Sequence, residues 1–349
     1  MKVSRKDIAA AAKVSVSTVG MILSGQGERY SEDTRKRVLD VAAKLGYQPS
    51  INARALRLNR SLLIGVLFSD VNHHAAARFL QGVQEAITNT QYSPLVFFSK
   101  SSEDQEVCLQ HCLNREVDAL VVNCAIDLAK SLPESYFERL SNLQIPVVEV
   151  FGHFLSGVPQ VNIDNARSGE LPTRHLIDLG HRRITFVTHS RYQTSDFHAD
   201  AWEQACGYRT EMEKAGLEPV FAGLEIDFAN PSAETFIQAG KNALAGLLDQ
   251  PDPPTALVCY NDYFAYGLSR ACEIKGIRVP EDVSITGNFN LLLSSIVDPP
   301  LTTSRTRFFE IGRQSVDGLL GMIQGTALES MRVEPELVVR KSTCPPPKR

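Results

Sequence analysis

The chain has 349 residues, a formal net charge of −4, 43% hydrophobic residues and 22% charged residues, as is ordinary for a soluble globular protein. This length suits two or three compact units. No apolar run reaches the roughly eighteen residues of a membrane-spanning helix, so we expect no segment to span a membrane. The first residues lack the continuous apolar segment of a signal peptide, so we expect a cytoplasmic protein.

The charge is unevenly distributed along the chain. Residues 1–60 contain 12 Lys and Arg against 5 Asp and Glu, a net charge of +7, so the remainder carries −11. A basic segment on an acidic body is typical of a protein that binds nucleic acid through that segment, because the body repels phosphate. The alternative is a chance clustering of charge.

The seven cysteines indicate neither a disulfide framework nor a metal site. Cys108 and Cys112 lie four residues apart, but no further Cys or His follows at the spacing of a zinc ligand. We interpret the cysteines as small buried apolar residues in a reducing compartment. No metal and no cofactor are expected.

The basic segment predicts three short helices. Ser4 with Asp7 forms a capping-box pattern before the first helix, and Ser15 can cap a second that ends near Gly25. Ser31 opens a third helix, which Gly46 stops. The predicted small core consists of apolar residues from all three helices: Ile8, Ala11, Val14, Val19, Ile22, Val38, Val41, Ala42 and Leu45.

The tight turn between the first two helices matches a helix-turn-helix motif, in which the second helix enters the major groove of DNA. Its outward residues, and hence the predicted base contacts, are Val16, Ser17 and Met21. The alternative is a helical cap that packs on the body of the protein.

Residues 6–57, KDIAAAAKVSVSTVGMILSGQGERYSEDTRKRVLDVAAKLGYQPSINARALR, closely resemble the N-terminal segment of the lactose-repressor/galactose-repressor (LacI/GalR) family. The resemblance continues to about residue 343. It implies a sequence-specific transcription regulator, commonly a repressor, that binds a pseudo-palindromic DNA operator as a homodimer. It also implies a small-molecule effector and no enzymatic activity.

The resemblance assigns further DNA contacts. It implies that residues 52–56 form a hinge helix only on DNA, where Leu56, with Ala53 beside it, wedges into the minor groove and kinks a base step. Contacts to the DNA backbone are expected from Ser15, Thr18, Ser24, Arg29, Thr34 and Asn52.

The recognition helix departs from the family at Gly20-Met21, where many members have Ser-Arg. Arginine reads guanine through a bidentate hydrogen bond, whereas methionine offers only apolar contact, for instance to a thymine methyl group. We therefore predict that the outer half-site lacks a guanine preference. The alternative is that Met21 packs inside the three-helix unit.

From Ser61 onward, short apolar segments such as LLIGVLF, ALVVN, ITFVT and ALVCY alternate with amphipathic ones. Such alternation predicts helices around parallel sheets, and its renewal after Asp164 predicts two similar subdomains with a ligand-binding cleft between them. The resemblance, carried here by VNIDNARSG, HLIDLGHRRITFV, CYNDYFAYGL, VPEDVSITG and PPLTTSRTRFFEIG, implies the fold of periplasmic sugar-binding proteins with three crossings between subdomains.

The predicted fold class is thus a small all-α helix-turn-helix headpiece plus an α/β periplasmic-binding-protein-like body of two parallel-sheet subdomains. The predicted domains are a headpiece (1–48), a hinge (49–60), a body (61–343) and a tail (344–349). Within the body, the first subdomain takes about 61–162 and 289–321, and the second about 163–288 and 322–343. No leucine heptads follow, so a dimer rather than a tetramer is expected.

The effector cleft is where the chain departs furthest from the family. Gln204 stands where members usually carry an arginine that grips the ligand, and Phe289 stands where they carry an aspartate. Asp262 is expected to orient the cleft, while Asn261 reaches the ligand. The full set of predicted cleft residues is Ser69, His73, Phe79, Asp164, Trp202, Gln204, Phe228, Asn261, Asp262, Phe289 and Phe308.

Loss of the charged groups that fix polyols leaves three alternatives for the cleft. It takes a less polar metabolite between aromatic walls, it takes a sugar through substituted contacts, or it is degenerate and binds no effector. The rival functions are an enzyme, for which no catalytic motif occurs, and a solute-binding protein, which would need a signal peptide and no basic headpiece.

Overall fold

The computed structural model describes residues 3–47, 55, 58–68, 76–123, 131–190, 199–226, 232–248 and 250–348. The chain divides into two compact units, Met1–Ser61 and Leu62–Arg349. None of the described helices is both long enough and apolar enough to cross a lipid bilayer.

The first unit contains three helices: α1 (Arg5–Ala12), α2 (Val16–Leu23) and α3 (Glu32–Lys44). The predicted capping box is confirmed, because the amide of Asp7 donates to Ser4 Oγ and the amide of Ser4 donates to the Asp7 carboxylate. The side chains of Ser15 and Ser31 accept from the first turns of α2 and α3. Gly46 follows α3 with a φ of 63°, a conformation that glycine adopts at little cost.

The core of the three-helix unit differs from the prediction at four residues. Ala11 and Leu45 are exposed, whereas Ala9 and Ala12 are buried beside Ile8. The buried face of α1 is therefore rotated from the predicted one: Ala12 lies one turn after Ile8 on the same face, and Ala9 widens that face on the side away from Ala11. The remaining buried members are Val19, Ile22, Val38 and Ala42, and Val14 and Val41 pack at the edge.

The second unit alternates strands and helices. Its strands are β1 (Leu63–Phe68), β2 (Ser93–Phe98), β3 (Ala119–Val122), β4 (Val147–Val150), β5 (Gln160–Ile163), β6 (Ile184–His189), β7 (Val220–Leu224), β8 (Ala256–Cys259), β9 (Ser284–Asn288), β10 (Thr302–Arg305), β11 (Met331–Val333) and β12 (Glu336–Val338). Its helices are α4 (Ala76–Ile87), α5 (Ser102–Asn114), α6 (Glu134–Ser141), α7 (Asn165–Asp178), α8 (Ala199–Lys214), α9 (Ala233–Leu248), α10 (Asp262–Ile274), α11 (Leu292–Ile296) and α12 (Phe308–Ile323).

The strands form two six-stranded sheets, so the predicted pair of parallel-sheet subdomains is confirmed. The first sheet has the order β11-β5-β4-β3-β1-β2 and the second the order β12-β10-β9-β8-β6-β7. Among the described strands all pairs are parallel except β10 with β12. We call the two sheets with their covering helices the first and second subdomains.

The chain crosses between the subdomains three times, but two crossings come later than the predicted residues 288/289 and 321/322. Strand β10 still belongs to the second sheet, where Thr302 pairs with Thr286 of β9. Strand β11 belongs to the first sheet, where Met331 pairs with Val161 of β5. Those two boundaries were wrong because strand pairing between distant segments decides membership of a sheet, and a single sequence does not display pairing.

The described cysteines are free and mostly buried. Cys108 and Cys112 lie in the core of the first subdomain, and burial raises the pKa of the Cys112 thiol to about 12. Cys206 and Cys344 are only partly buried. Among the described residues no cluster of three His, Cys, Asp or Glu side chains is arranged to hold a metal ion.

Candidate DNA-binding and effector sites

Helix α2 presents the predicted reading face. Val19 and Ile22 are buried on its inner side, which turns Val16, with 44% of its surface exposed, and Ser17 toward solvent. Met21 is half-buried on α2, so part of its side chain remains available to a base edge. Val16 is not part of the buried cluster of the three described helices, and its exposed surface suits contact with an apolar group of DNA.

The start of α2 carries a cluster of hydroxyl groups. Ser15 Oγ accepts from the amide of Thr18 at 3.0 Å and lies 2.7 Å from Ser17 Oγ and 2.8 Å from Thr18 Oγ1. At the start of α3, Thr34 Oγ1 lies 2.9 Å from Ser31 Oγ. Hydroxyl groups beside helix N-termini, where free amides point outward, suit the binding of phosphate.

Arg29 and Ser24 occupy the loop between α2 and α3. The Arg29 guanidinium donates to the hydroxyl of Tyr30 at 3.0 Å and lies over its ring at 5.1 Å from the centroid. Hydrogen bonding from the Thr18 side chain, followed by that from Arg29, holds the pKa of Tyr30 below its usual value. Ser24 Oγ donates to the carbonyl of Met21. Arg29 is therefore oriented on the surface by an aromatic neighbour.

Gly20 is not required by the packing of the three helices. A Cβ at this position would approach the Arg5 guanidinium at an ordinary 3.7 Å. The departure from the family at this residue therefore has no cause within the described part of the headpiece.

Several predicted site residues lie outside the described residues: Asn52, Ala53, Leu56, Ser69, His73 and Phe228. Their predicted roles stay predictions.

In the body, two predicted cleft residues cap helices at the carboxyl ends of strands. Asp164 follows β5, and its carboxylate accepts from the amide of Arg167 at 2.9 Å. Asn261 follows β8, and its Oδ1 accepts from the amide of Phe264 at 3.0 Å. Both oxygens thus satisfy the first turns of α7 and α10.

Asp262 is fully buried and ties two segments of the second subdomain together. Its carboxylate accepts from Thr303 Oγ1 at 2.6 Å and from the amide of Leu291 at 2.6 Å. Burial raises the pKa of this carboxyl to about 7, although these two hydrogen bonds and the charge of Arg340 act in the opposite direction. These contacts place Asp262 between β10 and the segment after β9, and its predicted orienting role in the cleft stays a prediction.

We expect Asp262→Asn to flatten the pH dependence of thermal stability. In the unfolded chain this carboxyl releases its proton near pH 4, whereas in the folded protein it keeps it until about pH 7. Stability therefore falls as the pH rises from about 4 to about 7. Melting temperatures of wild type and variant across this range measure the difference in slope.

Asp282→Asn serves as the matched control. Hydrogen bonds from Arg278 lower the pKa of Asp282 to about 2, so this group titrates below the window. The control should keep the wild-type slope, and an equally steep slope in Asp262→Asn would contradict the assignment.

Aromatic side chains fill the space where the strands of the two subdomains end. The Phe289 ring centroid lies 6.0 Å from that of Phe308, at the start of α12, and 6.1 Å from that of Tyr260, after β8. Phe308 in turn lies 5.9 Å from Phe151, after β4. We call these four residues the aromatic bridge. Phe79 is fully buried on Phe151, within the core of the first subdomain.

Sequence reasoning missed Tyr260 and Phe151. Each directly follows a strand of a parallel sheet, the position at which ligand-binding residues gather in such folds. That placement was the available signal.

The two remaining predicted cleft residues lie on α8. Trp202 is half-buried, and the Arg209 guanidinium lies over its ring at 5.7 Å. Gln204 is buried, and its Nε2, like Nδ2 of Asn288, has no hydrogen-bond partner within the described part of the chain. Neither Trp202 nor Gln204 supplies a positive charge in place of the arginine that family members usually carry.

Comparison with known families gives two matches. Residues 5–50 match the bacterial regulatory proteins of the lacI family, and residues 173–343 match the periplasmic binding protein-like domain. The first match covers helices α1 to α3, and the second covers most of the second subdomain and the end of the first.

Similar proteins span nearly the whole chain. The HTH-type transcriptional regulator DegA of Bacillus subtilis is 29% identical over 349 residues, which are 99% of each chain. The HTH-type transcriptional repressor PurR of Aliivibrio salmonicida is 31% identical over 346 residues, 97% of this chain and 98% of that one. A crystal structure of the lac repressor dimer bound to operator and the anti-inducer ONPF superposes with a TM-score of 0.77 at 26% identity, covering 99% of this chain and all of that chain.

Both named relatives are transcription regulators rather than enzymes. The resemblance and the fold class expected from the sequence are confirmed. With a relative 31% identical along almost its entire length and a matching three-helix unit, the chain belongs to the lacI family of bacterial regulatory proteins.

Proposed function

We propose that this protein is a transcription repressor that binds a two-fold symmetric DNA operator as a homodimer. The observation that carries the proposal is the outer face of α2, where Val16 and Ser17 are exposed above buried Val19 and Ile22. The hydroxyl cluster at Ser15 flanks that face and suits a phosphate at the edge of the groove.

The homodimer is supported by an exposed apolar surface on the second subdomain. Leu292 and Ile296 lie four residues apart on α11 and expose 79% and 72% of their surface. A second copy related by a two-fold axis would cover the same residues on both protomers. The lac repressor, which shares the fold, is a dimer on its operator in its crystal structure.

Control of DNA binding is proposed to act through the angle between the subdomains. The chain passes between the subdomains three times, and a change in their angle in both protomers would alter the spacing of the two headpieces of the proposed dimer. Among the described residues of the predicted cleft, Asp164, Asn261 and Asp262 each engage a carboxylate or amide oxygen with a partner within the chain. An occupant of the cleft therefore meets the aromatic bridge together with the amide groups of Gln204 and Asn288.

Selection of binding sites from random duplex DNA tests the function. Full-length protein should enrich two inverted half-sites and should retain them against random competitor at moderate salt. Binding that shows no sequence preference, or that recovers only a single unpaired half-site, contradicts the proposal.

We expect Met21→Arg to introduce a guanine at one position of each half-site. A bidentate contact from arginine to guanine gives about 1–3 kcal/mol of discrimination, roughly a factor of 5–150. Met21→Leu is the matched control, because it keeps an apolar side chain and should leave the selected sequence unchanged. A variant selection without the new guanine would show that residue 21 does not face the bases.

A further inference from the structure

We propose that Phe289 acts as a built-in ligand: its ring occupies the cleft, couples the two subdomains, and makes operator binding by the wild-type protein independent of a small effector. This inference rests on the proposed function. It concerns regulation at the same cleft, and the proposed occupant of that cleft is the side chain of Phe289 itself.

The ring of Phe289 lies between the two subdomains. Phe289 follows β9 of the second sheet, yet its side chain belongs to the apolar core of the first subdomain. It contacts Phe308, whose helix α12 packs in the first subdomain, and it contacts Tyr260 of the second subdomain. One side chain thus joins the two bodies, which is the contact that an effector makes when it couples them.

The ring is also enclosed. Phe289 exposes only 6% of its surface, and Phe308 and Tyr260 are buried to a similar extent. An aromatic molecule would have to displace Phe289 in order to pack on the side of Phe308 that Phe289 now covers. The aspartate that family members usually carry at this position would instead leave this space polar and open.

The backbone at this position is strained. Phe289 has a φ of 90° and Asn290 a φ of 52°, conformations that residues with a Cβ rarely adopt. Such strain persists only where the surroundings impose it, and it is common at functional sites.

Hydrogen bonds on both sides impose this turn. The amide of Phe289 donates to the Ser304 carbonyl at 2.8 Å, and the amide of Asn290 donates to Thr303 Oγ1 at 3.3 Å. Arg340 donates to Asn290 Oδ1 at 2.6 Å. The turn therefore holds the ring in the direction of the first subdomain.

The experiment compares operator affinity of full-length wild type and Phe289→Ala, with and without benzene. Alanine, like phenylalanine, carries a Cβ at this positive φ, so the variant keeps the backbone strain of wild type. Removing the ring leaves an apolar cavity of the kind that binds benzene. We expect operator affinity to fall about tenfold or more, within the usual range of allosteric coupling. Saturating benzene should restore most of that loss and raise the melting temperature of the variant.

Phe186→Ala is the matched control. Phe186 is equally buried and packs on Tyr208 in the second subdomain, away from the bridge. This variant should lose thermal stability while its operator affinity stays within about twofold of wild type. If Phe289→Ala does not fold, Phe289→Leu, which retains apolar volume without the ring, should show a smaller loss of affinity in the same direction.

The outcomes separate the two proposals. Wild-type protein that selects no operator overturns the proposed function. Wild-type protein that binds its operator, with Phe289→Ala or Phe289→Leu binding as tightly as Phe186→Ala, overturns the built-in ligand alone. A metabolite that changes the operator affinity of the wild-type protein tenfold or more also overturns the built-in ligand.

Discussion

Leu292→Asp is expected to convert the proposed dimer into monomers and to lower operator affinity by two orders of magnitude or more. Leu292 exposes 79% of its surface on α11, and Ile296 lies one helical turn away. In a two-fold interface each substitution occurs twice, so two carboxylates would have to be buried against apolar surface. None of the described residues of α11 is a cation that could offset the cost of removing these carboxylates from water.

The size of the effect follows from apolar burial. Covering a side chain of this size is worth about 1.5–3 kcal/mol, and two copies of Leu292 together contribute about 3–6 kcal/mol to association. Losing that amount weakens dimerisation by a factor of at least about 100. Each headpiece then binds its half-site separately, and the affinity for the operator is no longer raised by the linkage of two headpieces in one dimer.

Sedimentation or light scattering at micromolar concentration measures the oligomeric state, and a duplex with two half-sites measures the affinity. Val107→Asp is the matched control, because Val107 is 54% exposed on α5 of the first subdomain. The control should remain dimeric. A Leu292→Asp protein that is also dimeric would place the interface on another surface.

Gly207→Ala is expected to lower the stability of the body by about 3 kcal/mol, the upper end of the usual cost of overpacking. Helices α7 and α8 cross with their backbones in contact. A Cβ at Gly207 would lie 1.9 Å from the carbonyl oxygen of Ala166, and one at Gly169 would lie 2.0 Å from that of Gln204. A backbone carbonyl cannot rotate away as a flexible side chain can, so the helices must separate.

The same reciprocal arrangement recurs at two other crossings. It involves α4 with α12 and α9 with α10, at Gly82 with Gly312 and at Gly240 with Gly267. Close helix pairs therefore support both subdomains.

The melting temperature should fall by roughly 6–12 °C in Gly207→Ala, given the usual scaling for a body of this size. Gly246→Ala provides a control with the opposite sign. Gly246 lies within α9, and a Cβ added there would meet no atom of the described residues within 4 Å, so alanine should stabilise the helix by about 0.5–1 kcal/mol. Equal melting temperatures for wild type and Gly207→Ala would mean that the helices tolerate separation.

The sequence by itself determined the local features of the headpiece. Ser4, Ser15 and Ser31 cap their helices as predicted, since a capping bond joins residues only three positions apart and leaves a readable pattern. The alternation of apolar and amphipathic segments likewise determined the parallel sheets, because each pattern reflects the burial of its own segment.

Tertiary structure alone decided which sheet β10 and β11 join, and where the ring of Phe289 points. The first depends on hydrogen bonds between strands far apart in the chain. The second depends on a positive φ that Ser304, Thr303 and Arg340 impose from distant segments. A sequence displays the neighbours of a residue along the chain, whereas the cleft is made of neighbours in space. The phenylalanine at a position where family members carry an aspartate could therefore be read from the sequence. Its contacts with both subdomains could not.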